Sequence, residues 1–290
     1  MLLRAVAVLL LLAGCDYVFK VTVRPGDGGG AEDVPLIDSD FANCRDPSLT
    51  KDFDNDGIAD GCDNCPLTAN GPTNLDNQTD QDSDGVGDLC DPDPTHSREK
   101  LVAFDPLTEL SAAWARDGSW TVAAGGGYQQ SDDSGFALAL FQVPYQNPFV
   151  QVKFRDVSGN GTDTPRAGVF VVVGGAAVNP SDGIACVLSP SGFPGGDDLV
   201  LFRRVANGDQ IDTDTFDATG DTELRLSSSL FDYNIPPNPT APACTLLRPG
   251  PFPPLSFGVQ AAVTGRVGLW TDHARATFLG VMIVELVPPQ

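Results

Sequence analysis

Basic side chains are scarce in this chain of 290 residues. It carries 17 lysines and arginines against 39 aspartates and glutamates, which gives a formal net charge of −22. Nucleic acids and anionic lipid surfaces bind proteins through clustered positive charge. The composition therefore argues against a nucleic-acid partner and against electrostatic binding to an anionic membrane.

Long apolar segments are lacking too, and the longest apolar run lies at the amino terminus. Residues 1–13 hold one basic residue, Arg4, and then an unbroken apolar run. A bilayer-spanning helix needs about 20 residues, so this run is too short to span and is typical of a secretion signal. It ends in L-A-G-C, which resembles the lipobox of bacterial lipoproteins. The resemblance implies a signal peptide over residues 1–14, acylation of Cys15 and a lipid-anchored protein of the bacterial cell envelope. An ordinary signal peptide with a nearby unpaired cysteine is the alternative, and the membrane leaflet stays open.

Aspartate, by contrast, is concentrated in one part of the chain. Residues 52–63 read D-F-D-N-D-G-I-A-D-G-C-D, and residues 80–91 read D-Q-D-S-D-G-V-G-D-L-C-D. Each run has aspartate at positions 1, 3, 5, 9 and 12 and glycine at position 6, which is the spacing that lets one loop wrap its oxygens around Ca²⁺. Position 7 would contribute its backbone carbonyl. The predicted calcium ligands are Asp52, Asp54, Asp56, Ile58, Asp60, Asp63, Asp80, Asp82, Asp84, Val86, Asp88 and Asp91.

A disordered acidic linker is the alternative reading of this segment. Residues 52–93 contain twelve aspartates and no lysine or arginine, so without counter-ions the segment would repel itself. Disorder gives no reason for the complete preference of aspartate over glutamate, or for glycines in register. The flanks show no helical period, which excludes an EF-hand. The pattern favours calcium as the cofactor.

The same segment resembles thrombospondin type 3 repeats over residues 44–94. The resemblance lies in D-F-D-N-D-G-I-A-D-G-C-D-N-C-P and in the later Q-T-D-Q-D-S-D-G-V-G-D-L-C-D. It implies a segment with almost no apolar core, wrapped around calcium ions and tied by disulfides. The spacer between the two loops is several residues longer than is usual in the family, so the partners of Asp76 and Gln78 stay open.

Seven cysteines fit an exported protein. Without the lipidated Cys15 an even number remains, which predicts disulfides in an oxidising compartment but does not choose among the pairings. The repeat resemblance implies a Cys65–Cys90 bond and, by the same logic, Cys44–Cys62, which leaves Cys186 and Cys244 for each other. Zinc binding at Cys62 and Cys65 is the alternative; no second C-x-x-C or histidine pair follows to complete it.

The rest of the chain divides into a tether and a β-domain. Residues 15–43 contain P-G-D-G-G-G and read as a flexible tether. From residue 101 to residue 290, short alternating segments are separated by Gly, Asp, Asn and Pro. Period-2 alternation predicts strands at 119–122, 149–155, 199–205 and 222–226, and A-G-V-F-V-V-V from Ala167 predicts a strand buried on both faces. A mostly β sandwich or barrel follows.

This β-domain resembles a concanavalin A-like jelly roll of the laminin-G, pentraxin and legume-lectin kind. The resemblance is carried by G-S-W-T-V at 118–122, A-G-V-F-V at 167–171 and G-R-V-G-L-W-T-D-H-A-R-A-T-F-L-G-V-M-I-V at 265–284. Thrombospondins also carry a lectin-like sandwich directly after their type 3 repeats. The order of tether, repeats and sandwich therefore agrees with both resemblances.

Paired catalytic acids are absent from the sequence. A glycoside hydrolase of this sandwich type would show E-x-D or E-x-D-x-x-E on one strand, so that a glutamate and its acid partner face the same cleft. The chain has five glutamates, none two or four residues from another glutamate, and it has no G-x-S-x-G motif. The nearest group of candidate catalytic residues is the Asp272–His273 pair, and a surface loop with an exposed acid is the more common explanation for such a pair. We expect a protein without catalytic activity; a glycan-active enzyme is the minor alternative.

Two roles from different classes remain. The first is a calcium-dependent adhesion module whose sandwich binds glycan or extracellular matrix. Its candidate stacking platforms are Trp114, Trp120, Tyr128 or Trp270, but ordinary core or rim packing is the more common explanation for each, so no residue is named as a sugar ligand. The second is a structural envelope or surface-layer component without glycan affinity. The sequence does not separate them, because fold alone does not specify function.

Overall fold

A computed structural model describes residues 49–74, 77–173, 183–189, 198–204, 210–215, 222–227, 230–231, 239–240, 243–247, 255–256 and 263–286. The predicted signal peptide, the predicted tether, Cys15 and Cys44 lie outside the described residues. Residues Asp40–Gln290 belong to one compact unit. Within the described part of the chain, no helix has the length and apolar character needed to cross a membrane.

The described chain is mostly β, as the alternating patterns predict. Each of the five predicted strand segments overlaps an observed strand. The strands are β1 (Glu99–Asp105), β2 (Trp114–Asp117), β3 (Trp120–Val122), β4 (Tyr128–Gln130), β5 (Phe136–Gln146), β6 (Pro148–Gly159), β7 (Arg166–Val173), β8 (Gly183–Ser189), β9 (Asp198–Arg204), β10 (Gln210–Thr215), β11 (Thr222–Ser227), β12 (Leu230–Phe231), β13 (Pro239–Thr240), β14 (Ala243–Leu246), β15 (Leu255–Ser256), β16 (Thr264–Asp272) and β17 (Ala274–Leu286).

The strands form two large antiparallel sheets. The first sheet has the order β15-β14-β11-β6-β17-β4-β3, with β1 also paired to β17, and the second has the order β10-β9-β8-β7-β16-β5-β2. The chain crosses between sheets from β5 to β6, from β6 to β7 and from β16 to β17. Such crossings place sequence neighbours in opposite layers and produce the predicted jelly-roll sandwich.

The core lies between the two sheets and follows from side-chain alternation. Along β6, Val150, Val152 and Phe154 are fully buried in the cluster between the sheets. The intervening Gln151 and Lys153 therefore point to the outer face of the first sheet. The aspartate-rich segments at 52–63 and 80–91 lie on this outer face.

Strand β7 is buried on both faces, as predicted. Val169 and Val171 join the cluster between the sheets. Phe170 and Val172 join a second cluster with Trp270 on the opposite face of the second sheet. A continuous apolar run can fold as a strand only where both of its faces are covered.

A disulfide joins the two sheets. Cys186 of β8 and Cys244 of β14 are bonded, with their Cα atoms 5.4 Å apart. The bond confirms the implied pairing of these cysteines. Because it closes a loop of 58 residues, it restricts the unfolded chain more than a short-range bond does.

Candidate metal centres

The two aspartate loops fold in the same way. Gly57 and Gly85 have φ angles of 96° and 94°, a region that residues with a Cβ rarely adopt. Their amides donate to the carboxylates at position 1, Asp52 Oδ2 and Asp80 Oδ2, at 2.9 Å in both loops. The position 6 glycine therefore makes the turn that folds the loop back onto its own first residue.

The aspartates at position 9 hold the backbone of each loop. Asp60 Oδ1 accepts from the amide of Phe53 at 2.7 Å. Asp88 Oδ1 accepts from the amide of Gln81 at 2.8 Å. Neither belongs to the groups of converging carboxylates. Each loop is thus closed by its position 9 carboxylate, and direct coordination by these two residues stays a prediction, as does coordination through the carbonyls of Ile58 and Val86.

Three carboxylates converge in the first loop. Asp52, Asp54 and Asp56 each offer an oxygen, and these oxygens lie within 4.8 Å of one another. Asp54 Oδ2 is buried and accepts no hydrogen bond from the described residues. Burial and, to a smaller extent, the charges of Asp63 and Asp56 together raise the pKa of Asp54 to about 7. The pKa of Asp63 is raised to about 6, again chiefly by burial.

Four carboxylates converge in the second loop. Asp82, Asp84 and Asp91 are joined by Glu99, again with oxygens within 4.8 Å of one another. Asp82 Oδ2 and Asp91 Oδ2 are buried and accept no hydrogen bond from the described residues. Burial raises the pKa of Asp91 to about 7, with the charges of Asp84 and Asp82 adding to the effect. Asp80 lies outside this group and instead accepts from the amides of Ser83 and Gly85.

Both clusters fit a hard divalent cation. Buried carboxylate oxygens without donors are costly, and like charges at this distance repel each other. Ca²⁺ binds oxygen ligands in flexible geometry at about 2.3–2.6 Å and would remove both costs. The residues that would hold it are Asp52, Asp54 and Asp56 in the first loop and Asp82, Asp84, Asp91 and Glu99 in the second.

Glu99 is the site residue that sequence reasoning missed. It lies outside the repeat pattern, at the start of β1, and it is buried. The sequence contains only one hint of this role: Glu99 is one of just five glutamates in the chain. The spacing of aspartates within the loop cannot reveal Glu99, because Glu99 belongs to β1 of the sandwich.

The spacer between the two loops is hydrogen-bonded to the first loop. Gln78 Nε2 donates to Asp63 Oδ1 at 2.8 Å, and its Oε1 accepts from the Asn64 amide at 3.0 Å. The amide of Asn70 donates to Asp56 Oδ2 at 2.9 Å. The spacer therefore supports the position 5 and position 12 carboxylates of the first loop, which answers the question of the Gln78 partners. Asp76 lies outside the described residues.

A disulfide ties the two loops together. Cys65 and Cys90 are bonded with Cα atoms 5.6 Å apart, as the repeat resemblance implied. Cys62 is disulfide-bonded as well, and Cys44, its implied partner, is not among the described residues. Since Zn²⁺ needs free thiolates, bonded Cys62 and Cys65 exclude the zinc alternative at this position.

The loops pack against the outer face of the first sheet. Cys65, Leu67, Val86 and Cys90 form one buried cluster with side chains of the sandwich. The sandwich members are Leu101, Phe149, Met282 and Val284, with Phe104 and the loop residue Phe53 at the margin. The aspartate-rich loops and the sandwich therefore share one apolar cluster.

Gly280 makes the close approach of the two parts possible. A Cβ at this position of β17 would lie 3.0 Å from Leu67 Cδ2 and 3.0 Å from Phe53 Cζ. Both neighbours belong to the repeats, so a larger residue here would push the repeats away from the sheet.

A polar network lies beside the apolar cluster. Gln151 Nε2 donates to Thr68 Oγ1 at 2.8 Å, and Gln151 Oε1 accepts from Arg225 Nε at 3.0 Å. Arg225 also donates through a terminal nitrogen to the carbonyl of Leu89 at 2.8 Å. Thr68, which follows the first loop, and Leu89 of the second loop are thus hydrogen-bonded to β6 and β11, which fixes the orientation of the repeats on the sheet.

A cleft of about 470 Å³ opens where the first loop meets the sandwich. Three of its lining residues are cations: Lys51 before the loop, and Lys153 and Arg155 on the outward face of β6. Asp52 and Asp60 of the loop also line it. Arg155 pairs with the exposed Asp156 at 3.4 Å. The cleft therefore has one wall from the metal loop and one from the sandwich.

The candidate stacking aromatics are core residues. Trp114, Trp120, Tyr128 and Trp270 are all buried, none more than 7% exposed. The indole nitrogens of Trp114 and Trp120 donate to Asp105 Oδ2 and to the carbonyl of Asp117, both at 2.8 Å. Of the two interpretations left open by the sequence, ordinary packing is the correct one for these four residues.

The Asp272–His273 pair lies in the turn between β16 and β17. His273 Nδ1 lies 2.8 Å from Asp272 Oδ1, and Nε2 lies 3.8 Å from Asp163 Oδ2. His273 has a φ angle of 49° and is half-exposed. The pair forms a polar turn and lies in a different part of the fold from the cleft.

Comparison with known proteins supports the resemblance to thrombospondin type 3 repeats directly. The sequence model of the thrombospondin type 3 repeat matches residues 43–72 and 79–94. No curated protein sequence matches the chain.

Solved structures include sandwiches similar to this one. One is a protein of unknown function with a galectin-like fold from Bacillus subtilis (11% identity, 65% of this chain and 97% of that chain, TM-score 0.45). Another is the carbohydrate binding module CBM66 from Bacillus subtilis (13% identity, 64% of this chain and 100% of that chain, TM-score 0.39). A third is the Crh5 transglycosylase (10% identity, 64% of this chain and 85% of that chain, TM-score 0.41). At such identities and TM-scores these likenesses carry no argument about what this chain binds or catalyses.

Proposed function

We propose that this chain is a lipid-anchored, calcium-binding protein of the bacterial cell envelope whose sandwich is a non-catalytic glycan- or matrix-binding module. The observation that carries the binding role is the cleft between the first calcium loop and the sandwich. The anchor rests on Cys15 in the lipobox-like L-A-G-C, and the calcium on the two convergent carboxylate clusters.

The cleft favours a ligand with negative charge. Lys51, Lys153 and Arg155 line it, in a chain with a net charge of −22. A carboxylated or sulfated glycan would pair with these cations, and arginine binds a carboxylate in a bidentate geometry. Neutral sugars would lack both this pairing and an exposed stacking aromatic among the four candidates.

Calcium would control the charge of the cleft. Asp52 belongs both to the cleft lining and to the first carboxylate cluster. Without the cation, its charge and that of Asp60 oppose an anionic ligand. A bound Ca²⁺ adds two positive charges at the same wall, so the affinity for an acidic glycan should rise with calcium.

A glycan array that includes carboxylated and sulfated sugars tests this proposal. The chain expressed from Asp16, which keeps the compact unit Asp40–Gln290 intact, is screened in millimolar calcium and again in EDTA. We expect acidic-glycan binding in calcium only. Lys153→Ala should abolish it, whereas Lys100→Ala, which removes the same charge from an exposed position of β1, should leave it intact. Binding that survives EDTA would contradict a calcium-controlled cleft.

The structural role is the second candidate, and the burial of all four candidate aromatics favours it. In this case calcium stiffens the repeats and fixes them on the sandwich, with no glycan bound. Silence of the array in both conditions would support this role over the adhesion role.

Lipid anchoring has its own test. The full chain is expressed in a bacterial host and labelled with radioactive palmitate. Label in the membrane fraction that disappears in Cys15→Ser would support the anchor. A processed, unlabelled and soluble wild-type chain would show an ordinary signal peptide instead.

A further inference from the structure

The second calcium loop is completed by a residue of the sandwich. Glu99 is the first residue of β1 and pairs with Leu286 of β17. Its carboxylate joins those of Asp82, Asp84 and Asp91, with oxygens within 4.8 Å of one another. Glu99 is only 4% exposed, and its Oε2 accepts from the Arg98 amide at 3.0 Å. A cation would further stabilise the charge of such a buried carboxylate.

In both loops a backbone amide from outside the loop donates to the carboxylate at position 5, but the residue that provides this amide differs. In the first loop the amide of Asn70 donates to Asp56 Oδ2 at 2.9 Å. In the second, the amide of Glu99 donates to Asp84 Oδ2 at 2.8 Å. Asp56 and Asp84 both occupy position 5. The residue beside the first loop is therefore Asn70 of the spacer, whose side chain is a neutral amide. The residue beside the second loop is Glu99 of the sandwich, whose side chain is a carboxylate.

One buried oxygen of the second cluster has no hydrogen-bond donor among the described residues. Asp91 is 7% exposed, and its Oδ2 accepts no hydrogen bond from any described residue. The same residue contributes an oxygen to the group that contains Glu99. A buried oxygen with no donor, within a group of four acids, is the arrangement that a divalent cation stabilises.

We infer that the Glu99 carboxylate is a ligand of the second calcium ion, so that this ion joins the repeats to the first strand of the sandwich. The inference rests on calcium binding by the repeats, which belongs to the proposed function. It adds an intramolecular role: occupancy of this site holds β1 to the second loop, while the first site lies within the repeats.

Calcium titration of paired variants tests the assignment. Isothermal titration of the chain from Asp16 should resolve binding at both loops. Glu99→Gln keeps the shape and backbone pairing but removes the charge. It should weaken one binding event by about tenfold or more, since ligand charge sets the affinity of calcium sites. Glu109→Gln, the same change at an exposed position, should change neither event.

A second measurement separates a metal ligand from a merely structural residue. Hydrogen exchange of the β1 amides should slow when calcium is added to the wild type. In Glu99→Gln this calcium response should be lost, while protection in EDTA should equal or exceed that of the wild type, because the variant removes one of the four repelling charges. In Asp54→Asn, which alters the first site alone, the β1 response should persist.

The outcomes discriminate between this inference and the function on which it rests. Absence of calcium binding by the wild type would overturn both. Two unchanged binding events in Glu99→Gln, together with loss of one event in Asp82→Asn, would overturn the role of Glu99 and leave calcium binding by the repeats standing.

Discussion

Replacement of Leu67 by alanine should destabilise the sandwich, although Leu67 belongs to the repeats. Its side chain is 2% exposed and belongs to the cluster shared with Met282 and Val284 of β17. Truncation to alanine leaves a cavity between loop and sheet. Buried leucine-to-alanine changes cost about 2–5 kcal/mol, and we expect a loss of about 3 kcal/mol, because one side of the site is a loop that can partly collapse.

Tryptophan fluorescence measures this effect in the sandwich alone. The chain has three tryptophans, Trp114, Trp120 and Trp270, and all are buried in the sandwich. Urea unfolding in millimolar calcium therefore reports the sandwich transition. With a slope of about 3 kcal/mol per molar urea, a loss of about 3 kcal/mol lowers the midpoint by about 1 M.

Leu89 provides the matched control for this experiment. It is also a leucine of the repeats but is 44% exposed, so Leu89→Ala should change stability by no more than about 0.5 kcal/mol. An unchanged fluorescence midpoint in Leu67→Ala would refute the reasoning, because it would mean that repeats and sandwich unfold independently.

Three further predictions concern calcium, protons and disulfides. Removal of calcium with EDTA should accelerate hydrogen exchange over residues 52–93, because the carboxylates then repel one another. In EDTA, stability by thermal unfolding should fall as the pH rises from about 4 to about 7, since burial raises the pKa of Asp54 and Asp91 from 3.8 to about 7 and the folded state then binds more protons than the unfolded chain. Millimolar calcium, which binds the ionised form, should remove this dependence. Replacement of Cys186 and Cys244 together by alanine should cost about 4 kcal/mol in urea unfolding, because their bond closes a loop of 58 residues.

Each of these predictions has an outcome that contradicts it. Exchange over the repeats that is equally slow in EDTA and calcium would show that the acidic loops need no cation. Calcium-free stability that rises between pH 4 and 7 would mean that Asp54 and Asp91 ionise as exposed acids do. A double cysteine variant as stable as the wild type would show that the two sheets hold together without the bond.

The strands of the sandwich could be predicted from the sequence, because the alternation of apolar and polar residues has a direct physical cause. Val150, Val152 and Phe154 face the core, and the residues between them face outward, so the period of two is visible without coordinates. The two aspartate-rich loops could be predicted for a similar reason. Each short segment contains most of its own candidate ligands, and Gly57 and Gly85 mark the turns that fold each loop back onto its first residue.

Other features depended on contacts between residues far apart in the chain. Trp114, Trp120, Tyr128 and Trp270 could be sugar platforms or core residues until the sheets that bury them were known. Spacing within the loops likewise gave no reason to turn the carboxylates of Asp60 and Asp88 onto the loop backbone.

The sequence by itself determined that this protein has two aspartate-rich loops and a β-sandwich, because both are encoded by local repetition of residue types. Only the tertiary structure decided how the two are joined. Leu67 packs over Gly280, Gln151 bonds to Thr68, and Glu99 enters the second metal cluster from β1. These contacts arise when distant segments fold onto the same face of a sheet, and no local pattern in the chain records which segments will meet there.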